Sequence, residues 1–296
     1  MASLPYPSLR KGGSMNNQDK LNALTTYFNL MQMNGGSRIF NTAQQLGVFK
    51  AIGMDGKSAE EIARTCNLMK KPLILFLNAL KTIGTLNFDG TKYTLTPVMR
   101  FLAGNYQNLS NEYWDHLSEL LRTGEPMAKM DSTEESEEQY VKQVTSLAWM
   151  MKPSAIASVE ILDIGRSRKG LNILDVGAGS AVWSLSMASS DPTSSVTAVD
   201  WPGVLQIASK TAETMGLSDR FTPLPGNYHE IELVESRYDM AIVANVTHIE
   251  TPVGNCDLFR RLAKCLKPGG EIVVIDVLGG QNEGELASAL YALGLA

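Results

Sequence analysis

The chain has 296 residues, is 44% hydrophobic and 19% charged, and sets 26 Lys and Arg against 31 Asp and Glu, for a net charge of -5. Ordinary apolar content with so small a charge excludes disorder as the overall state, and the mild acidity lacks the electrostatic footprint of a dedicated nucleic-acid binder. The length favours two domains at about 100 to 200 residues each, and Cys66, Cys256 and Cys265 show no CxxC spacing, so neither a disulfide framework nor a zinc knuckle is expected. No run of about 18 apolar residues suggests a membrane span, and the start, MASLPYPSLRKGGS, has no apolar core of the signal-peptide kind. A cytoplasmic protein with no membrane or nucleic-acid partner is the expectation, with residues 1–18 as a flexible leader.

From 19 to 105 the pattern is helical with one hairpin. Leu21, Leu24, Tyr27, Phe28 and Met31 recur at helical spacing, as do Ile39, Ala43, Leu46 and Val48 before Gly53. Ser58 with Glu61 three residues on predicts a capping box opening a helix that ends near Cys66. Pro72 marks the first turn of the next helix, closed by Gly84. Thr85 to Phe88 and Lys92 to Leu95 flank Asp89-Gly90, a two-residue hairpin signal. Helices followed by a hairpin make a winged-helix arrangement. Residues 106–168 read as helices, with the acidic stretch 132–139 taken as a solvated helix start.

From 169 the rhythm changes, and the boundary between the halves is expected near 166–170. Five apolar runs, LNILDV, SSVTAVD, FTPLPG, YDMAIVAN and EIVVIDVL, alternate with helices or loops, which implies an α/β domain on a parallel sheet. Ligands in such a sheet bind beyond the carboxyl ends of the strands. The first strand runs into Asp175-Val-Gly177-Ala-Gly179, and the second ends in Asp200, an acid placed to accept both hydroxyls of an adenosine ribose. A dinucleotide would need a third glycine and an open helix N-terminus for pyrophosphate. The chain has Ala181-Val182-Trp183 there, and Asp175 suits the ammonium and sulfonium of S-adenosylmethionine better than a pyrophosphate.

DVGAGSAVWSL, AVDWPGVLQIA, GNY after the third strand, NVTH after the fourth and LKPGGEIVVIDV together resemble the motif series of class I methyltransferases. LGVFKAI, SAEEIA, LNALKTIG, YTLTP and WDHLSELLRTGEP are similar to the N-terminal half of small-molecule O-methyltransferases with a winged-helix dimerisation domain. The resemblance implies a Rossmann-like sheet, S-adenosyl-L-methionine as cofactor, a homodimer through the N-terminal domain and a hydroxyl acceptor of aromatic or polyketide type. On it, Gly177 and Gly179 pass under the methionine part, Asp200 takes the ribose, Trp201 and Tyr228 flank the adenine, Asn227 contacts its amino group, and Asn245 joins the cofactor site. His248 falls at the general base and Asp276 at the acid that steers it, with no metal. Trp114, Trp149, Met150 and Met151 fall on the helices that roof the acceptor pocket.

The chain departs from that family at Ala244, at His248-Ile249-Glu250, and at Ala296, where the family goes on to a further helix and a hairpin. A shortened form with the fifth strand as an exposed edge is the corresponding expectation. A catalytically inactive, cofactor-binding scaffold is the alternative function. A winged-helix DNA reader is disfavoured, because the candidate recognition helix is LILFLNALKTI with only Lys81 inside it.

Overall fold

The computed structural model describes residues 16–102, 111–127 and 133–276, with isolated positions at 286, 289, 290 and 293. Most of the leader (1–15) and the helical pattern at the C-terminus lie outside the described residues. The chain divides into two compact units, 1–111 and 112–296.

In the first unit α1 (Asn17–Gln45) starts where the Asn16 side chain accepts the Asp19 N–H at 2.8 Å. The first apolar stripe and Ile39 and Ala43 of the second belong to this one helix, which runs through Gly35-Gly36, whereas Leu46 and Val48 lie beyond its end. Gly47 turns the chain in the left-handed conformation into α2 (Val48–Ile52). α3 (Ala59–Cys66) carries the expected capping box, with Glu61 accepting from the Ser58 N–H at 2.8 Å and Ser58 Oγ accepting from the Glu61 N–H at 3.3 Å. α4 (Lys70–Thr82) buries Leu73, Leu77 and Leu80 against Ile52 and Ile62.

β1 (Leu86–Phe88) and β2 (Tyr93–Leu95) pair antiparallel, and Lys57 bridges Tyr93. The loop between the strands is four residues, 89–92, rather than the two expected. Asp89 Oδ1 accepts from the Thr91 N–H, the Thr91 hydroxyl and the Lys92 N–H, each at 2.8 Å, which stabilises the wider turn. α5 (Pro97–Leu102) follows.

The second unit opens with α6 (Asn111–Thr123) and α7 (Thr133–Ile161). The alternating part then reads β3 (Asn172–Val176), α8 (Val182–Ser190), β4 (Ser195–Asp200), α9 (Pro202–Thr214), β5 (Phe221–Pro225), β6 (Tyr238–Ala244), α10 (Pro252–Cys265) and β7 (Leu266–Ile275). The sheet is parallel, ordered β5-β4-β3-β6-β7, so strand order reverses between β3 and β6. Alternation along the strands sends Ile173, Val196, Ala198, Met240 and Ile242 to one face, packed with α8 and α9. Leu174, Val176, Val199, Ala241 and Val243 go to the other face, under Leu258 and Leu262 of α10. Because α7 packs on α8 and α9, it belongs to the sheet unit, and the chain divides at 111/112 instead of near 166–170.

Candidate active site

The carboxyl ends of β3, β4 and β6, together with one face of α7, enclose a cavity of about 250 Å³. Its floor is the turn after β3. Gly177 has φ +63°, and a Cβ there would stand 2.6 Å from Val246 Cγ2, so the position admits little but glycine. Gly179 has φ +57° and donates its N–H to Asp200 Oδ2 at 2.8 Å, which ties the turn to the end of β4.

Asp200 lines the cavity, and its other oxygen accepts the Trp201 N–H at 2.7 Å. Each carboxylate oxygen carries two lone pairs, so two acceptor positions remain beyond these bonds, the number a ribose diol requires. Burial raises the Asp200 pKa; the two backbone bonds work against that shift, and the Glu137 charge adds to it. Glu137 is not part of a solvated helix start: it accepts the N–H of Gly203 in the first turn of α9, 66 residues away. An acid at a helix N-terminus is an expected pairing, but only the fold reveals which helix it serves.

Asp175 does not reach the cavity wall. It is 1% exposed, and its carboxylate accepts from Ser184 Oγ inside α8. Burial pushes its pKa up to about 7, opposed by the Ser184 bond and assisted by the nearby Asp200 charge. The strand alternation that points Ile173 and Asp175 toward the helices on that face is the reason.

Trp201, Asn227, Tyr228 and Asn245 all line the cavity. Asn227 Oδ1 accepts the His229 N–H at 2.9 Å. Asn245 sits at φ +56° and donates its N–H to Ile275 O at 2.8 Å, which sets the direction of the loop after β6. Burial, then the bond to Glu250, pushes the Tyr228 phenol far above its ordinary range. His229 lines the cavity as well.

His248 Nδ1 lies 2.6 Å from Asp276 Oδ1. The Asp276 side chain is 0% exposed, and its Oδ2 accepts from Thr247 Oγ1 at 2.6 Å and from the His248 N–H at 3.2 Å. Val246 and Ile249 contribute to the cavity wall and His248 does not, although its side chain keeps 13% exposure beside it.

Of the four acceptor candidates only Met151 lines the cavity. α7 presents Tyr140, Val144, Leu147, Ala148 and Met151, a stripe of period 3.6. Trp149 and Met150 fall off that stripe, Met150 being 48% exposed, and Trp114 on α6 is 37% exposed beside Tyr113. Among the described residues no helix is long and apolar enough to cross a membrane.

Residues 173–270 match the family described as a methyltransferase domain. The chain is 31% identical over 133 residues to the L-tyrosine C(3)-methyltransferase of Streptomyces lavendulae, covering 45% of this chain and 35% of that protein. It is 20% identical over 279 residues to the 3-hydroxy-5-methyl-1-naphthoate 3-O-methyltransferase of Streptomyces sahachiroi, covering 88% of this chain and 79% of that one. The crystal structure of human N-acetylserotonin methyltransferase in complex with S-adenosylmethionine superposes with a TM-score of 0.65 at 20% identity, covering 96% of this chain and 87% of that one. With the domain match, these near end-to-end likenesses and the sheet order, residues 173–270 are a methyltransferase domain, and the chain as a whole is similar to class I S-adenosylmethionine-dependent O-methyltransferases that carry a helical N-terminal unit.

Proposed function

We propose that the chain transfers the methyl group of S-adenosylmethionine to a hydroxyl of a small, largely apolar acceptor, with His248 as general base and Asp276 positioning it. The observation that carries this reading is the convergence of the Gly177–Gly179 turn and Asp200 on one cavity at the point where strand order reverses.

The cavity fits the cofactor. Gly177 and Gly179 give it a floor without side chains, Asp200 offers two acceptor positions, and Trp201, Asn227, Tyr228 and Asn245 complete the wall. When bound, it supplies an electrophilic methyl group on a sulfonium. A hydroxyl becomes a good nucleophile as its proton leaves, and an imidazole is the side chain suited to take that proton near neutral pH. With Nδ1–H donated to Asp276, the basic lone pair of His248 stands on Nε2. The buried carboxylate fixes this tautomer and stabilises the imidazolium once the proton has moved. Val144, Leu147 and Met151 give the α7 side an apolar surface suited to an aromatic or polyketide-like acceptor.

Calorimetry with S-adenosylhomocysteine tests the cofactor: micromolar binding that weakens by about 1 to 3 kcal/mol in Asp200→Ala is expected, the cost of leaving ribose hydroxyls poorly paired. No binding by folded protein, or equal affinity for a dinucleotide, overturns the assignment. A panel of phenols with labelled methyl donor tests turnover, and His248→Ala should lower it roughly 10² to 10⁴-fold. If a phenol is methylated by His248→Ala at the wild-type rate, the base assignment is wrong. If the cofactor binds and no acceptor reacts, the scaffold reading replaces the catalytic one.

The likeness to a tyrosine C(3)-methyltransferase favours one second reading, methylation of a phenol carbon. Removal of the phenol proton activates the ortho carbon as well as the oxygen, so the His248–Asp276 pair serves either outcome, and the product's position of methylation decides between them. The chain also acts as a homodimer through its first unit, in the reducing cytoplasm that suits the free Cys66, Cys256 and Cys265.

A further inference from the structure

We infer that Glu250 is a positioning residue that clasps Tyr228 and His229 across the cavity, an inference that rests on the cofactor reading above. Glu250 Oε1 accepts from the Tyr228 hydroxyl at 2.6 Å and faces His229 Nε2 at 2.8 Å. Both bonds join the loop after β5 to the loop after β6. In the order β5-β4-β3-β6 those strands lie three places apart, about 14 Å at the usual strand spacing. A direct side-chain bond between the two loops therefore has to pass over the ends of β4 and β3, where Asp200 and the glycine turn lie. Tyr228 shows that it does: its Cε1 lies 3.9 Å from the place a Cβ would take on Gly177.

An independent feature of the fold makes room for the carboxylate. Glu250 Oε2 lies 2.5 Å from where a Cβ would stand on Gly254, in the first turn of α10, so glycine at that position leaves the acid room to lie on the helix N-terminus. Burial raises the Glu250 pKa, and the bonds from Tyr228 and His229 outweigh that and hold it below the ordinary value, so the clasp is an ionised carboxylate with two donors. Glu250 touches no reacting atom; it acts by fixing the Tyr228 ring over the cofactor's subsite.

The test is S-adenosylhomocysteine affinity of the full chain by calorimetry, with unliganded thermal midpoints measured alongside. Glu250→Ala should bind about tenfold more weakly, and Glu250→Gln, which keeps an acceptor oxygen, should recover much of that loss. Gly254→Ala should weaken binding in the same direction by displacing the carboxylate, and it provides the reading if Glu250→Ala fails to fold. In a Tyr228→Phe background, Glu250→Ala should cost less than about twofold more, because residues that act through one contact are not additive. Wild-type affinity in Glu250→Ala, or a full additional tenfold loss in the double variant, overturns the clasp while leaving the cofactor assignment intact. Absence of binding by the wild-type chain overturns the cofactor assignment itself, and the clasp with it.

Discussion

Nδ1 of His248 lies 2.6 Å from Oδ1 of Asp276, a pair that joins the ends of β6 and β7 across 28 residues of chain. Asp276→Asn keeps the shape and can still accept from Thr247, but an amide cannot balance an imidazolium. Turnover should fall roughly 10² to 10⁴-fold while S-adenosylhomocysteine affinity stays within a few-fold, because the lost interaction is made only as the proton moves. Acceptors with more acidic phenols should lose less. Initial rates across a series of phenols check this, and a uniform loss in all of them would point to a structural role for Asp276.

Gly177 joins a left-handed backbone to a Cβ position that Val246 already fills. Gly177→Ala should lose about 1 to 2 kcal/mol from the backbone conformation alone, and more from the contact. Gly170 is the control: its φ is +64°, and the nearest atom to an added Cβ is Thr193 Oγ1 at an ordinary 3.8 Å. Chemical denaturation should therefore rank Gly177→Ala below Gly170→Ala, and only the former should weaken binding of S-adenosylhomocysteine.

The strands and the glycine turn were legible in the sequence because the central strands are buried on both faces and read as short, predominantly apolar runs, and because Gly177, Gly179 and Asp200 sit at strand ends that chain order alone locates. Features that depend on side-chain direction were not legible. Asp175 is adjacent in sequence to the floor of the site, yet alternation turns it away from the cavity. Met151 lines the cavity, whereas Met150 and Trp149 do not, and one residue of helix phase makes the difference. Contacts between distant segments were hidden too: Glu137 with Gly203, and Glu250 with Tyr228, join loops and helices that no local pattern relates.

The apolar stripes of the first unit have different fates, and this bears on assembly. Leu73, Leu77 and Leu80 of α4 are buried in their own unit, whereas Leu21, Leu24, Tyr27, Phe28 and Met31 of α1 are all exposed. The surplus apolar surface lies mainly on α1, and α4 adds the exposed Leu75. A contiguous exposed stripe of this kind suits the dimer interface proposed above. Light scattering at micromolar concentration should report a dimer for the wild type and a monomer for the Leu24→Lys, Phe28→Lys double variant. A monomeric wild type would refute dimerisation through this face.

Asp175 is buried beneath the site, and burial pushes its pKa up to about 7. In the unfolded chain its carboxyl returns to the ordinary value of 3.8. Between these two pH values the folded protein retains a proton that the unfolded chain has released. Stability therefore declines as pH rises through that window, by at most about 1.4 kcal/mol per pH unit, and levels off above it. Asp175→Asn cannot titrate. Its absolute stability depends on how well the amide is satisfied beside Ser184, but its pH dependence does not carry this contribution. Thermal midpoints measured from pH 4 to 8 should therefore shift in favour of the variant as pH rises, with most of the change below pH 7. Parallel curves for the two proteins would show that Asp175 titrates at its ordinary value, and that burial is offset by contacts stronger than the Ser184 hydroxyl provides.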